Sequence, residues 1–130
     1  MRIEVWAANH LAQSMALLLD GGRVDVFDAY GNRLAECPLA WPAFNPPADG
    51  AVAAHPFPAA RGLADGRPVR FEAFAASGDR VLVGRAGYKD DQPPPEMSFK
   101  TRMILEDADV LVESFVFSLL DVGEEEEGAA

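Results

Sequence analysis

Leu17-Leu18-Leu19-Asp20-Gly21-Gly22-Arg23-Val24-Asp25-Val26-Phe27-Asp28 holds a helix end, a Gly-Gly break and an alternating strand, in that order. Upstream of it, Leu11, Met15, Leu18 and Leu19 recur at helical spacing, so residues 8–19 read as a short helix whose apolar face those four side chains form. Gly21 is placed to take the left-handed conformation that ends such a helix without a Cβ penalty. Beyond it the apolar period changes from 3.6 to 2 residues. The plan that follows is one short N-terminal helix and then strands.

Working outward, Tyr30-Gly31-Asn32 turns the first strand (about 23–28) into a second near 33–40. Residues 41–50 contain Pro42, Pro46, Pro47 and Gly50 and read as an ordered loop anchored by Trp41 and Phe44. A strand is expected near 51–57, then a loop through Gly62 and Gly66. Next comes a hairpin, Val69 to Ala75 and Arg80 to Gly84 around Ser77-Gly78-Asp79. In it Val69, Phe71, Ala73 and Ala75 face inward while Arg70 and Glu72 face out. The three prolines within 88–96 supply no donors and rule out regular structure there. Ser98 to Ile104 alternates as another strand, and Glu106-Asp107-Ala108-Asp109 turns the chain into a last one, Val110 to Leu120. That last run is apolar on both sides, so its second face is expected to be covered, by the N-terminal helix or by another subunit. Seven or so short strands with turn-rich connections predict a mainly β fold, an antiparallel, jelly-roll-like β-sandwich with one short N-terminal helix. It is expected as a single domain over residues 1–120, with 121–130 as an acidic C-terminal tail.

Composition narrows the function classes. With 49% hydrophobic and 25% charged residues in 130, the chain reads as one ordinary globular domain. No apolar run is long enough to span a membrane, and the start, with Glu4 and no small-residue cleavage site, does not read as a signal peptide. A net charge of −10 argues against nucleic acid as a partner. Five of the acids, Asp121 and Glu124 to Glu127, stand in the tail, which reads either as a solvated terminus or as an anionic strap for a basic neighbour. The single cysteine, Cys37, leaves no internal disulfide or cysteine-rich zinc site and reads as a small apolar filler.

Motifs for chemistry are sparse. His10 and His55 share no ligand spacing with each other or with Cys37, and no nucleophile elbow, phosphate-binding glycine loop or His-Glu-x-x-His occurs. Asp90-Asp91 and Glu106-Asp107-Ala108-Asp109 lack the spacing of a calcium loop and read as solvated turns. Trp6, Tyr30, Trp41 and Tyr88 are the residues a sugar-stacking platform would use, yet they are scattered. The expectation is a protein that is not an enzyme, with no catalytic, metal or cofactor residues and no small-molecule substrate.

The opening stretch, with Leu34-Ala35-Glu36-Cys37-Pro38-Leu39-Ala40-Trp41-Pro42-Ala43-Phe44 and Ala48-Asp49-Gly50-Ala51-Val52, resembles a family of small β-sandwich virion structural proteins of tailed bacteriophages. The resemblance covers roughly residues 10–120. The chain departs from that pattern in its short Ala29-Tyr30-Gly31-Asn32 turn and in carrying Pro, Ala and charge where the family has Thr/Ser-rich loops. The resemblance implies a capsid decoration or cement protein, made in the bacterial host cytoplasm and carried in the virion. Its implied partners are the major capsid protein and copies of itself. A tail or head–tail component is the alternative within that class, and a carbohydrate- or surface-binding β-sandwich module the alternative outside it. Interface candidates are Ile3, Val5 and Trp6, in a segment that alternates like an unpaired strand; the loop anchors Trp41 and Phe44; and Pro93, Pro94, Pro95 and Met97.

Overall fold

The N-terminal helix begins earlier than the leucine spacing predicts, and it buries a different face. In the computed structural model, which describes residues 2–119, α1 runs Val5–Leu19. The Arg2 to Trp6 strand is therefore not formed: Glu4 is the N-cap, its carbonyl accepting from the Ala8 N–H, and Val5 and Trp6 lie in the first turn. The buried stripe is Ala8, Ala12, Ala16 and Leu19, which at 100° per residue falls within about 80° of arc. Leu11 and Leu18, roughly 100° round from its centre, remain exposed, while Met15 is half-buried. Three of the four are alanines, and the helix is tied to the turn before β3 where Asn9 Oδ1 accepts from the Gly50 N–H at 2.6 Å. The leucine pattern thus marks the flank of the helix, not its seat.

At its other end α1 closes as the Gly-Gly break requires. Gly21 has φ +71°, and the Gly22 N–H donates to the Leu19 carbonyl at 2.9 Å. A methyl on Gly22 would run into the carbonyl oxygen of Phe74, so the corner between helix and first strand is packed against backbone.

The strands are β1 (Arg23–Phe27), β2 (Arg33–Pro38), β3 (Ala51–Ala53), β4 (Arg70–Phe74), β5 (Arg80–Tyr88), β6 (Met97–Phe99) and β7 (Val112–Ser118). They make one seven-stranded open sheet in the order β2-β1-β4-β5-β6-β7-β3. The protein is mainly β with one helix. The sheet is mixed rather than wholly antiparallel, because β5 and β6 pair in parallel, Ala86 with Met97 through Tyr88 with Phe99. The proline-bearing segment between these two strands returns the chain to run alongside β5 instead of turning it back as a hairpin, with Gln92–Pro93 in the cis form.

Two strands are shorter than their sequence pattern. β3 stops at Ala53, ahead of Pro56 and Pro58, which have no N–H to offer a ladder. β6 stops at Phe99. Thr101 Oγ1 donates to the Met103 carbonyl at 2.8 Å, a local bond that bends the chain, and Thr101 and Met103 are exposed rather than inward. Ile104 returns to the core, bonded in a bridge with Gly66.

The core is continuous from one end of the sheet to the other. Val24 and Val26 on β1 and Val52 on β3 belong to the same buried cluster, although five strand spacings of about 4.8 Å separate β1 from β3 in the sheet order. The sheet therefore coils around its apolar face. Phe115 is the hub, with ring centroids 5.0 Å from Phe71, 5.6 Å from Phe44, 6.2 Å from Phe57 and 6.3 Å from Phe117. The second face of β7 is not closed by the helix, which packs on β3 and β5. Val116 on that face is exposed, and Val110 and Val112 line a groove with Phe57.

Candidate functional site

The structure sorts the sequence-predicted interface residues into two groups. Phe44 and Met97 are core side chains, and Pro95 is buried with them. Phe44 packs edge-on to Phe117 at 5.5 Å, and Met97 is fully enclosed in β6. These three are not available to a partner. Trp6 and Trp41, each 75% exposed, Val5, Pro93 and Pro94 do reach solvent, and Ile3 is half-buried. They do not converge. Trp6 stands in the first turn of α1 and Trp41 beyond its last, about 20 Å apart along a helix of this length.

Trp41, read from the sequence as a loop anchor and an interface candidate, is held from below. Its six-membered ring lies over Gly21, where a Cβ would meet Trp41 Cε3 at 2.5 Å. The adjoining chain is tied down where the Ala43 N–H donates to Asp20 Oδ1 at 2.7 Å. Both the glycine of the helix cap and the aspartate before it therefore position the indole, leaving one face to solvent. Leu17 and Leu18, both exposed, belong to the same end of α1.

A second surface is the outward face of β2-β1-β4-β5. Arg23-Val24-Asp25-Val26-Phe27 on β1 and Arg70-Phe71-Glu72-Ala73-Phe74 on β4 share an Arg-x-acid-x-Phe pattern, and they pair antiparallel with Arg23 opposite Phe74, Asp25 opposite Glu72 and Phe27 opposite Arg70. The arrangement is close to two-fold symmetric about the Asp25–Glu72 pair. Each arginine lies over the opposite strand's phenylalanine, Arg23 Cζ 4.2 Å from the Phe74 centroid and Arg70 Cζ 4.8 Å from that of Phe27. Each also bonds its own strand's acid, Arg23 Nε to Asp25 Oδ1 at 3.3 Å and Arg70 Nη2 to Glu72 Oε2 at 2.8 Å.

Glu36 stands opposite Asp25 on β2, so three carboxylates form a row across three strands. Like charges directly opposite one another destabilise a sheet, and the flanking arginines offset this. Arg33 lies 3.8 Å from Asp25, Arg23 3.6 Å from Glu36 and Arg80 3.2 Å from Glu72. The fifth arginine, Arg85, is opposite Arg70 and donates to the Pro93 carbonyl at 3.2 Å. Sequence reasoning placed Arg70 and Glu72 outward but missed this surface. The signal was the repeated five-residue pattern, whose meaning depends on β1 and β4 being neighbours.

Titratable groups elsewhere serve structure. Asp28 closes the β1–β2 turn, accepting from the N–H groups of Tyr30 and Asn32 and from the Asn32 side chain, and the Asn32 side chain leads in holding its carboxyl below the usual range. Burial, reinforced by Asp25 and Glu36, pushes the Cys37 thiol up to about 12, so at neutral pH it is a protonated core group. Among the described residues no group of three or more His, Cys, Asp or Glu side chains is placed to hold a metal ion. No described helix is long and apolar enough to cross a membrane. A groove of about 350 Å³ runs between Pro56-Phe57-Pro58 and Val110-Val112, with Lys100 and Asp109 at its rim.

Comparison of the chain with family models, with curated proteins and with solved structures finds no match.

Proposed function

We propose that this chain is a non-enzymatic structural protein of a tailed-phage particle, a decoration or cement protein that adds modest interfaces over many copies on a repeating shell. The observation that carries the reading is Trp41. A large aromatic, 75% exposed yet fixed over Gly21 and tied through Asp20, costs little conformational entropy when a partner covers it. Large rigid aromatics of this kind are enriched where proteins bind one another. Coiling of the sheet, with rings on β4 and β7 in contact, is consistent with the sandwich-like, jelly-roll arrangement that the sequence resemblance implies. The major capsid protein is the proposed partner, and the particle the proposed location.

The test is quantitative mass spectrometry of purified particles with heads and tails separated, followed by binding of the purified chain to undecorated shells. The expected result is a copy number comparable to the major capsid protein in the head fraction, with shell binding weakened at least tenfold by Trp41→Ala. Confinement to tails would make it a tail component. Absence from both fractions would overturn the virion reading.

A further inference from the structure

We infer that the arginine-laced face of β2-β1-β4-β5 is the docking surface for the acidic terminal run, Glu124 to Glu127, of a second copy of this chain. The inference rests on the assembly reading above, but not on where in a particle the protein sits.

The charge distribution comes first. Residues 2–119 contain all 11 Lys and Arg of the chain and 16 of its 21 Asp and Glu. Five of those cations, Arg23, Arg33, Arg70, Arg80 and Arg85, stand on this face against Asp25, Glu36 and Glu72. The rest of the described protein then carries six cations and 13 acids. A strongly acidic molecule has therefore gathered its positive charge on one side, and that side is open: the side chains of Arg33, Arg70 and Arg80 are 47%, 50% and 60% exposed.

The chemistry of the face selects its occupant. Asp25 and Glu72 are nearly covered, their side chains 6% and 14% exposed, so they neutralise the arginines from beneath. The guanidinium groups of Arg70 and Arg23 lie over Phe27 and Phe74, and guanidinium is the cation that suits carboxylates through paired N–H···O bonds. A run of four consecutive glutamates supplies such groups, and the chain carries one.

The assembly reading above, not reach, favours a second copy over the chain's own tail. Leu119 is bonded to Gly50 beside β3, at the far edge of the sheet. β7 is four strands from β1, about 19 Å along a coiled sheet, and the core lies between them on the direct path. Glu124 to Glu127 lie five to eight residues beyond Leu119, at most about 17–28 Å of extended chain, so the chain's own run also spans that distance, and association that depends on concentration is what separates a second copy from it. Repeated head-to-tail, this contact is heterologous and extends over many copies.

The experiment is sedimentation of the full-length chain over a range of concentrations at low salt and at about 0.5 M salt, where exposed charge pairs are screened. Concentration-dependent association at low salt is expected, falling at least about tenfold in affinity in the full-length E124Q/E125Q/E126Q/E127Q variant and in the full-length R33Q/R80Q variant. R61Q/R67Q, off this face, is expected to leave it unchanged. A peptide of residues 121–130 added to the quadruple Gln variant should bind, and bind about tenfold more weakly when R33Q/R80Q is also present. If R33Q/R80Q does not fold, the quadruple Gln variant decides alone. Association untouched by the quadruple Gln change overturns the inference. So does a monomer at every concentration, as does preference of the face for a single-stranded oligonucleotide over the peptide. Failure here leaves the particle mass spectrometry standing, and absence from particles leaves this measurement standing.

Discussion

The two halves of the sheet are built on different rules. The β2-β1-β4-β5 half is an antiparallel ladder, shifted in register at Val26/Phe27 and at Ala73/Phe74, with Val24, Val26, Ala35, Cys37, Phe71 and Ala73 sealed on one face and arginines laced with acids on the other. Period-two alternation carries most of it, although Asp25 on the outward side of β1 is buried beneath its arginines and Leu34 and Ala35 are buried in succession on β2. The β6-β7-β3 half has two strands of three residues, a parallel pairing and, in β6, three residues buried in succession. β6 cannot alternate, since it is covered on both sides, whereas β7 buries Phe115 and Phe117 either side of exposed Val116. Both halves share one core cluster, joined where Phe71 on β4 meets Phe115 on β7.

This contrast predicts a graded series of effects. Phe115→Ala removes the ring that joins the halves through Phe71 and Phe44, and it should cost about 3–5 kcal/mol in urea unfolding. If the transition then splits in two, with the antiparallel half melting last, the halves are separable. A single sharp transition would show that they are not. Gly22→Ala drives a methyl at the Phe74 carbonyl where β1 meets β4, and a loss of about 2–3 kcal/mol is expected by the same measurement, with the transition remaining single.

In the second half, the Ser98–Ser114 hydroxyl pair at 2.8 Å is the polar link between β6 and β7, so Ser98→Ala should cost about 1 kcal/mol. Leu18→Ser tests the helix face: exposed in the structure, it should change stability by no more than about 0.5 kcal/mol, whereas a loss of several would restore the leucine face to the core. At neutral pH the smallest effect belongs to Cys37. Its thiol stays protonated in the folded protein to about 12 but ionises near 9 once unfolded. Its contribution to stability is therefore constant below about pH 9 and is lost as pH rises from there toward about 12. Native protein should accordingly resist thiol reagents at pH 8 and react on unfolding, and rapid native labelling would contradict the burial.

Legibility followed the same divide. The helix end at Gly21, β1, β2 and the β4–β5 hairpin could be read from residue patterns, because cap, turn and alternation are local signals within a few residues. Three readings failed where the apolar pattern did not carry the deciding contact. Arg2 to Trp6 alternates, yet the helix propagates back through Val5, where Ala7 and Ala8 favour it and no strand edge competes. Ser98 to Ile104 alternates too, but the bend at Thr101 ends the pairing after Phe99. Apolar spacing assigned α1 the wrong face because leucine is more hydrophobic than alanine, whereas three of the four side chains the helix buries are alanines.

Of the candidate surface, the sequence singled out Trp41 and Trp6 as large aromatics in segments rich in turn or end signals, and both are exposed. It also nominated Phe44, Pro95 and Met97, which the core absorbed. Composition could not separate these groups, since an aromatic beside a proline is equally suited to either side of the surface. The arginine face lay in the sequence as two copies of Arg-x-acid-x-Phe, 47 residues apart in numbering, and nothing local relates them.

By itself, then, the chain determined the class of its elements, where the helix stops, the strand alternation of the first half and its own acidic excess, all of which depend on neighbours a few positions away. Tertiary structure alone decided which helix face is buried, that β5 and β6 run parallel, that Phe115 sits at the hub, and that five arginines share one surface. Each of those depends on strands distant in sequence being placed about 5 Å apart, a distance that no local pattern encodes.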